Sequence, residues 1–272
     1  MKTLLVLLLT IAPLCAASPR YDEVTWLCTH NAMNTEEDGW KFPNQTHSIP
    51  KQLKNGVRAL MLDIWDQDGK LVLRHGPPIA RFFGSRPLSG GLNDIHKFLQ
   101  QDQTAIITLI LESKVSAARV VAAIRAAKLD SYCHSQDASK PWPPLSAMRK
   151  SGKRLVILSD RVEQGANIPT WYMPVWNHCW ETNWEAKNLA QLSAAKPRRG
   201  KRTNALFILN HFVTNGMPSK KLSTDANSNP FLTNRVNLVM KKYKTKPNFL
   251  VLDFYEQGNG TQVVKDLNGN KP

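Results

Sequence analysis

The sequence predicts an irregular (β/α)₈, TIM-like barrel, an α/β fold built as one domain. After removal of a leader the chain keeps about 255 residues, the size of such a barrel. Eight short apolar runs recur along it, and helix-like stretches separate several of them. Strands that alternate with helices pair in parallel, and parallel strands are buried on both faces. A composition of 42% hydrophobic and 21% charged residues excludes a disordered, collagen-like or coiled-coil protein.

The eight runs are bounded by polar, glycine or proline residues, as strands usually are. They are Val24–Thr29, Val57–Ile64, Lys70–Arg74, Ala105–Leu111, Arg154–Ser159, Trp171–Trp176, Asn204–Leu209 and Asn248–Leu252. The helix-like stretches are Leu92–Gln101, Ser116–Leu129, Asn183–Ala195 and Asn229–Tyr243. The segment Trp65–Gly69 between the second and third runs is long enough only for a turn, so we expect the barrel to be irregular.

Residues 1–17 have the pattern of a secretory signal peptide. Lys2 provides a charged start, Leu4–Leu14 is an apolar run, and Cys15-Ala16-Ala17 supplies small residues for cleavage. The apolar run is too short to span a bilayer. The sequence therefore predicts a secreted, extracellular protein in which residues 18–272 form a single domain.

Secretion makes a disulfide possible, and three cysteines follow the signal peptide: Cys28, Cys133 and Cys179. They permit one bridge and one free thiol, and the sequence leaves the pairing open. Asn44 and Asn259 begin N-glycosylation sequons, which are modified only in a eukaryotic secretory pathway.

The chain is strongly basic, with 36 Lys and Arg residues against 21 Asp and Glu and a formal net charge of +15. Such a surface favours anionic membranes, nucleic acid or phosphorylated substrates. Basic clusters at 196–202 and 241–246 precede predicted strands, so we expect them as solvated charge near the N-terminal face of the barrel. Because no aromatic-interleaved motif accompanies them, we expect an anionic membrane surface and no nucleic acid as partner. We expect the protein to be a monomer.

Polar residues follow most of the apolar runs. In a barrel of parallel strands, the chemistry lies at the C-terminal strand ends, where side chains from different strands converge. A single polar residue there means little, because strand ends commonly meet water. Two histidines and three carboxyl groups at one end of five strands indicate a catalytic site. These residues are His30, Asp63, His75, Glu112 and Asp253.

The order of these residues resembles the X domain of phosphatidylinositol-specific phospholipase C. The segments that carry the resemblance are Thr29–Asn31, Gly56–Asp66, Leu73–Gly76, Leu109–Glu112 and Phe249–Gly258, the last being similar to small secreted, single-domain members. The resemblance implies cleavage between diacylglycerol and the inositol phosphate head group, through attack of the inositol 2-hydroxyl on phosphorus to form a cyclic phosphate. It implies His30 as the general base, His75 as the general acid, and Asp253 as the carboxylate that orients His30.

The resemblance also implies a calcium ion held by Asn31, Asp63 and Glu112. Oxygen ligands of this kind suit a hard cation. Metal-free bacterial members have an arginine at the position of Asp63 and a lysine at that of Glu112. Met61 lies two residues before Asp63 on the same strand face, where calcium-dependent relatives can have a second carboxylate. We therefore expect calcium to bind weakly.

Residues just past the strand ends are candidates for substrate contacts. We expect Lys114 and Arg161 to contact phosphate or inositol hydroxyls and Tyr255 to stack on the inositol ring. The loop Pro77–Gly84 mixes apolar and cationic residues directly after His75, so we expect it to touch the bilayer.

The sequence leaves two alternative functions open. One is another barrel phosphodiesterase of the glycerophosphodiester or sphingomyelin type, although the usual His-Arg-Gly or His-Glu start pattern of those enzymes is missing. The other is a catalytically silent secreted module that binds inositol phosphates or an anionic glycan. The presence of both histidines and three oxygen ligands argues for the enzyme.

Overall fold

The computed structural model describes residues 17–269 except 77, 78, 80, 81, 164–166 and 195. The expected signal peptide therefore lies almost wholly outside the described residues, as does half of the loop Pro77–Gly84. The described strands form one mixed sheet. They are β1 (Trp26–Thr29), β2 (Ala59–Gln67), β3 (Lys70–Leu73), β4 (Arg86–Pro87), β5 (Ile107–Ser113), β6 (Leu155–Ser159), β7 (Tyr172–Pro174), β8 (Cys179–Thr182), β9 (Pro197–Arg199), β10 (Leu206–His211) and β11 (Phe249–Leu252).

Helices cover the outside of the sheet. They are α1 (Ile49–Lys54), α2 (Leu88–Gln101), α3 (Ala117–Ala126), α4 (Leu145–Ser151), α5 (Val175–His178), α6 (Leu189–Ser193), α7 (Lys220–Asn227), α8 (Phe231–Tyr243) and α9 (Gly260–Asn268). Short 3₁₀ helices lie at Tyr21–Glu23 and Asp130–Tyr132. Within the described part of the chain, no helix is long and apolar enough to cross a membrane.

The wall of the barrel consists of the strands that pair in parallel. Within the described residues these are eight strands in the order β7-β6-β5-β2-β1-β11-β10-β8. No ladder among the described residues joins β7 to β8, so the curled sheet is open at that seam. The irregular, TIM-like barrel predicted from the sequence is confirmed.

The assignment of one of the eight predicted strands to the barrel wall was wrong, and a strand that the sequence did not predict takes its place. Residues Lys70–Leu73 form β3, which pairs antiparallel with β2 as a hairpin outside the parallel wall. Asp68 and Gly69 both have positive φ, which a two-residue turn matched to the strand twist requires. The missing wall strand is β8, whose short sequence Cys-Trp-Glu-Thr lacks the apolar run that marks a buried strand.

The predicted helices exist with different bounds. The stretch Asn183–Ala195 contains only the five-residue helix α6, which begins where the Asn188 side chain accepts a hydrogen bond from the Gln191 amide. Between α6 and β10, the three residues Pro197–Arg199 form β9, which runs antiparallel to β8.

The three cysteines of the described residues are all buried and free, so the disulfide that the sequence permitted is not formed. Burial raises the pKa of the Cys133 thiol to about 12. These thiols pack as small apolar groups in the core.

Alternate residues of each wall strand divide between two cores. On β2, Leu60 and Leu62 pack in the core that the outer helices share, whereas Ala59 and Met61 belong to the core inside the barrel. Because side chains alternate along a strand, residues that continue the interior set toward the C-terminal end enter the mouth of the barrel. These residues are His30, Asp63, Glu112, Asp160, Glu181, Asn210 and Asp253, and all of them line one cavity.

Candidate active site

A cavity of about 720 Å³ opens at the C-terminal ends of the wall strands. Its lining includes seven of the nine site residues that the sequence predicted. The seven are His30, Asn31, Asp63, His75, Glu112, Lys114 and Asp253. Chain segments far apart in sequence thus meet at one end of the barrel.

His30 lies just past β1 and forms a hydrogen bond with Asp253, just past β11. The distance between His30 Nδ1 and Asp253 Oδ1 is 2.8 Å. Because β1 and β11 are paired neighbours, the two side chains meet across adjacent strands. A carboxylate only accepts hydrogen bonds, so Nδ1 carries the proton and Nε2 is left as an acceptor. This tautomer is the one that a general base requires.

Asn44 supports the carboxylate of this pair, and sequence reasoning missed it. Its Nδ2 donates to Asp253 Oδ1 at 3.0 Å, and its Oδ1 accepts from Asn34 Nδ2 at 2.7 Å. Asn44 is 2% exposed, and a glycan on its Nδ2 would disrupt the contact with Asp253. Nothing in the sequence marks Asn44 as a site residue, because it lies in a loop far from any strand end.

His75 forms a second histidine–carboxylate pair with Asp63, which the sequence did not predict. His75 Nδ1 donates to Asp63 Oδ2 at 3.0 Å. Burial by itself would lower the pKa of His75, but the hydrogen bond and negative charge of Asp63, together with Glu112, raise it above its ordinary value. Burial raises the pKa of Asp63, and the His75 hydrogen bond opposes that rise. The pair favours a protonated imidazole.

The two imidazole rings face the same space. Their centroids are 6.3 Å apart, and the ring planes are inclined by 74°. One ring has an acceptor nitrogen and the other has an environment that favours the cation. Such a pair can accept one proton and donate another on opposite sides of a single phosphodiester.

The three oxygen donors implied for calcium lie together in the cavity. Asp63 and Glu112 are partners in the register between β2 and β5, and Asn31 follows His30 in the same wall. Among the described residues, no group of three or more His, Cys, Asp or Glu side chains is arranged to hold a metal ion. The set that the resemblance implies contains only two such residues and an amide, and all three are oxygen donors of the kind that suits a hard cation.

Resident cations compete for these carboxylates. Lys114 Nζ lies 2.6 Å from Glu112 Oε1, and His75 occupies one oxygen of Asp63. Met61 lines the cavity beside Asp63, as its position two residues earlier on β2 predicted. The donor set thus fits calcium, but Lys114 and His75 already compensate part of the negative charge of its two carboxylates.

Arg161 and Tyr255 are not among the cavity-lining residues. Arg161 follows Asp160, whose side chain points into the barrel, so Arg161 points outward and forms an ion pair with Glu163 at 2.6 Å. Phe254 has a φ of 42°, which breaks the strand alternation before Tyr255. The Tyr255 ring is buried, and its hydroxyl contacts His47 and Asn55. The structure therefore offers no stacking contact between Tyr255 and a head group in the cavity.

A second polar group, carried by β8, β9 and β10, also lines the cavity. Arg198 Nη1 donates to Glu181 Oε1 at 3.0 Å, and Asn210 Nδ2 donates to Glu181 Oε2 at 2.9 Å. Arg199 lies over the Trp176 ring at 5.3 Å. The expectation that the cluster at 196–202 faces away from the site is wrong for these two arginines, because β9 runs antiparallel to β8 and begins at the mouth. Strand alternation would have identified Glu181, had β8 been recognised.

Comparisons with known proteins place the chain in a family. The family model PI-PLC X 1 matches residues 14–268, and the chain therefore belongs to the PI-PLC X family. A PI-PLC X domain-containing protein of Arabidopsis thaliana is 28% identical over 91% of this chain. An uncharacterized secreted protein of Arthroderma benhamiae is 23% identical over 94% of this chain. The chain spans 61% and 63% of the lengths of these two relatives.

Solved structures confirm the fold. The phosphatidylinositol-specific phospholipase C from Listeria monocytogenes aligns with a TM-score of 0.64 at 16% sequence identity. The alignment covers 93% of this chain and 96% of that one. At this level of identity the likeness shows a shared barrel fold.

Proposed function

We propose that the protein is a phosphoric diester hydrolase that cleaves phosphatidylinositol-type lipids into diacylglycerol and a cyclic or open inositol phosphate. The observation that carries this proposal is the facing arrangement of two histidine–carboxylate pairs, His30–Asp253 and His75–Asp63, in one cavity. Membership of the PI-PLC X family supports the choice of substrate class. Two histidines that face one space, each hydrogen-bonded to its own carboxylate, are what general acid–base catalysis needs and a silent binding module does not.

His30 acts as the general base in the proposed reaction. Its Nε2 removes the proton of the inositol 2-hydroxyl, whose oxygen then attacks phosphorus and closes a five-membered cyclic phosphate. Asp253 holds Nδ1–H and stabilises the imidazolium that forms. Asn44 fixes the Asp253 carboxylate in this position.

His75 acts as the general acid. Its protonated ring gives the Nε2 proton to the diacylglycerol oxygen as the bond from that oxygen to phosphorus breaks. The hydrogen bond from Nδ1 to Asp63 orients the ring and leaves the Nε2 proton as the one that can be donated. The leaving alcohol departs neutral, and the two histidines end with exchanged protonation states.

Negative charge on the phosphoryl oxygens requires a cation nearby. Lys114 lies in the cavity beside Glu112 and is the proposed protein contact to phosphate. Asn31, Asp63 and Glu112 would hold a weakly bound calcium ion, which supplies further positive charge when it is present. Glu181, Arg198 and Asn210 replace Arg161 and Tyr255 as the proposed contacts to head-group hydroxyls.

A product analysis tests the proposed reaction. The protein is incubated separately with vesicles of phosphatidylinositol, with sphingomyelin vesicles and with a soluble glycerophosphodiester, and the products are identified by mass spectrometry. We expect diacylglycerol and cyclic inositol phosphate from the first substrate alone. Phosphocholine or free glycerol phosphate would identify another phosphodiesterase, and vesicle binding without any product would indicate a silent module.

Exposed apolar residues on and near the loop after His75, together with the net charge of +15, support an anionic membrane surface as the partner. Phe82 is 61% exposed and Ile79 is 63% exposed, on the loop that directly follows His75. Phe42 is also exposed and packs edge-to-face against Phe83, with ring centroids 5.4 Å apart. Because the loop directly follows His75, docking this apolar surface on a bilayer would bring lipid head groups towards the cavity.

Replacing Phe82 with aspartate is expected to weaken binding to phosphatidylinositol vesicles about tenfold, since burial of a phenylalanine side chain is worth about 1.5–3 kcal/mol. Turnover of a water-soluble inositol phosphodiester should stay unchanged. Vesicle co-sedimentation and soluble-substrate assays measure the two effects. Leu238→Asp is the matched control, because Leu238 is 47% exposed on α8 and does not line the cavity. An equal loss of vesicle binding in Phe82→Asp and Leu238→Asp would contradict a role of this loop in docking.

We also propose that the protein is secreted. The pattern of residues 1–17 supports secretion, and so does the name of the Arthroderma benhamiae relative.

A further inference from the structure

We propose that Phe212 is a positioning residue that holds the His30 ring in the orientation required of the base, a role that rests on the proposed function. The Phe212 ring stacks on the His30 ring with centroids 3.7 Å apart and planes inclined by 8°. Phe212 is 4% exposed and lines the cavity. No feature of the sequence pointed to this residue.

The stack supplies a restraint that the carboxylate does not. The hydrogen bond to Asp253 holds one edge of the imidazole at Nδ1. A single hydrogen bond leaves the ring free to swing about that contact, which moves Nε2 away from its target. Contact of a flat ring against one imidazole face removes this freedom and keeps water from that face. Together the two contacts define both the plane of the ring and the direction of Nε2.

Phe212 is itself held by buried polar contacts next to it in the chain. His211, at the end of β10, is fully buried; its Nδ1 accepts from Arg235 Nη1 at 2.9 Å, and its Nε2 donates to the Ala226 carbonyl at 2.9 Å. Arg235 also donates to the Leu192 carbonyl at 2.7 Å. Burial lowers the pKa of His211 to about 3, so the ring stays neutral and its tautomer is determined by these partners. This network ties the end of β10 to α8 and α6 and leaves Phe212 little freedom to move.

The test compares Phe212→Leu, which removes the flat ring at similar volume, with Phe212→Tyr, which keeps it. We expect kcat to fall roughly tenfold to a hundredfold in Phe212→Leu with KM little changed, because a misplaced catalytic group costs rate without loss of binding. Phe212→Tyr should retain most of the kcat of the unmodified protein, because it keeps the flat ring. A double-mutant cycle with Asp253→Asn should be non-additive, since both residues act on the orientation of His30.

Phe207→Leu is the matched control. Phe207 lies on β10, the strand that Phe212 directly follows. Its ring stacks on Trp180 with centroids 3.8 Å apart and planes inclined by 2°, away from the cavity. The Phe207→Leu variant should be less stable to heat than the unmodified protein but should have the same kcat. An equal loss of kcat in Phe207→Leu and Phe212→Leu would show that general destabilisation explains the effect and would overturn the proposal.

Nuclear magnetic resonance of the histidine rings tests the stack without reference to activity. In protein labelled at histidine, the ring C–H signals of His30, assigned with His30→Gln, should be shifted upfield by the facing phenyl ring. The shift should disappear in Phe212→Leu and persist in Phe212→Tyr and Phe207→Leu. An unshifted His30 signal in the unmodified protein would overturn the proposal. A shifted signal in a protein that cleaves no diester would instead leave the stack intact and refute the proposed function.

Discussion

Alanine at His30 or at His75 is expected to lower turnover of phosphatidylinositol by roughly 10² to 10⁴, because each change removes one partner of a general acid–base pair. The fold should persist in both variants. Asp253 keeps its hydrogen bond from Asn44 when His30 is removed, and the His75 side chain is half exposed. Initial rates and thermal unfolding, measured on the same preparations, separate catalysis from stability. His96→Ala is the control, since His96 lies on α2 outside the cavity.

The leaving group distinguishes the two roles. With an inositol phosphodiester of a nitrophenol, the leaving oxygen needs no protonation, so His75→Ala should recover much of the lost rate. His30→Ala should not recover, because the attacking hydroxyl still needs a base. If only His30→Ala recovered its rate on the nitrophenol substrate, the assignment of base and acid would be reversed. Full activity of either variant on phosphatidylinositol would refute the mechanism.

Removal of calcium is expected to cause the second large loss of activity. Asn31, Asp63 and Glu112 provide too few oxygens for an ion that takes 6–8 ligands, so substrate and water must complete the shell. Calcium and substrate should therefore bind cooperatively. Thorough chelation should abolish most turnover, and calcium addition should restore it. Unchanged turnover after chelation would contradict the metal site and leave Lys114 as the cation at the phosphate.

Met61→Glu adds an anionic ligand on the face of β2 that carries Asp63. It is expected to lower the calcium concentration for half-maximal activity about tenfold. Met61→Gln is the control, since it has the same shape without the charge. Calorimetry without substrate should likewise show tighter calcium binding by Met61→Glu than by Met61→Gln or the unmodified protein. Equal calcium dependence in all three proteins would show that residue 61 does not reach the ion.

Much of the site was predictable because strand geometry alone places it. His30, Asp63, Glu112 and Asp253 lie at interior positions near the ends of apolar strands, and the alternation of side chains directs them into one cavity. Their order along the chain was enough to indicate the family, which the family model confirms. The number of wall strands followed from chain length and from apolar runs, although one strand was misidentified.

Contacts between segments distant in sequence were not predictable in this way. Asn44 and Phe212 contact the His30–Asp253 pair from a loop and from the end of β10, and no local pattern marks either residue. The antiparallel return of β9 placed Arg198 at the mouth, although its sequence resembled a solvated basic stretch.

By itself, the sequence determined the barrel, His30 and the carboxylates at the strand ends, because these depend on the two-residue period of a strand and on burial of its apolar runs. His75 was indicated by its sequence motif alone, because the β3 strand that precedes it lies outside the parallel wall. Only the tertiary structure decided which carboxylate pairs with His75, which side chains turn away from the cavity, and which ring packs on His30. A single positive φ at Phe254 was enough to remove Tyr255 from the cavity. Such choices depend on the exact path of the backbone between strands, which local periodicity does not specify.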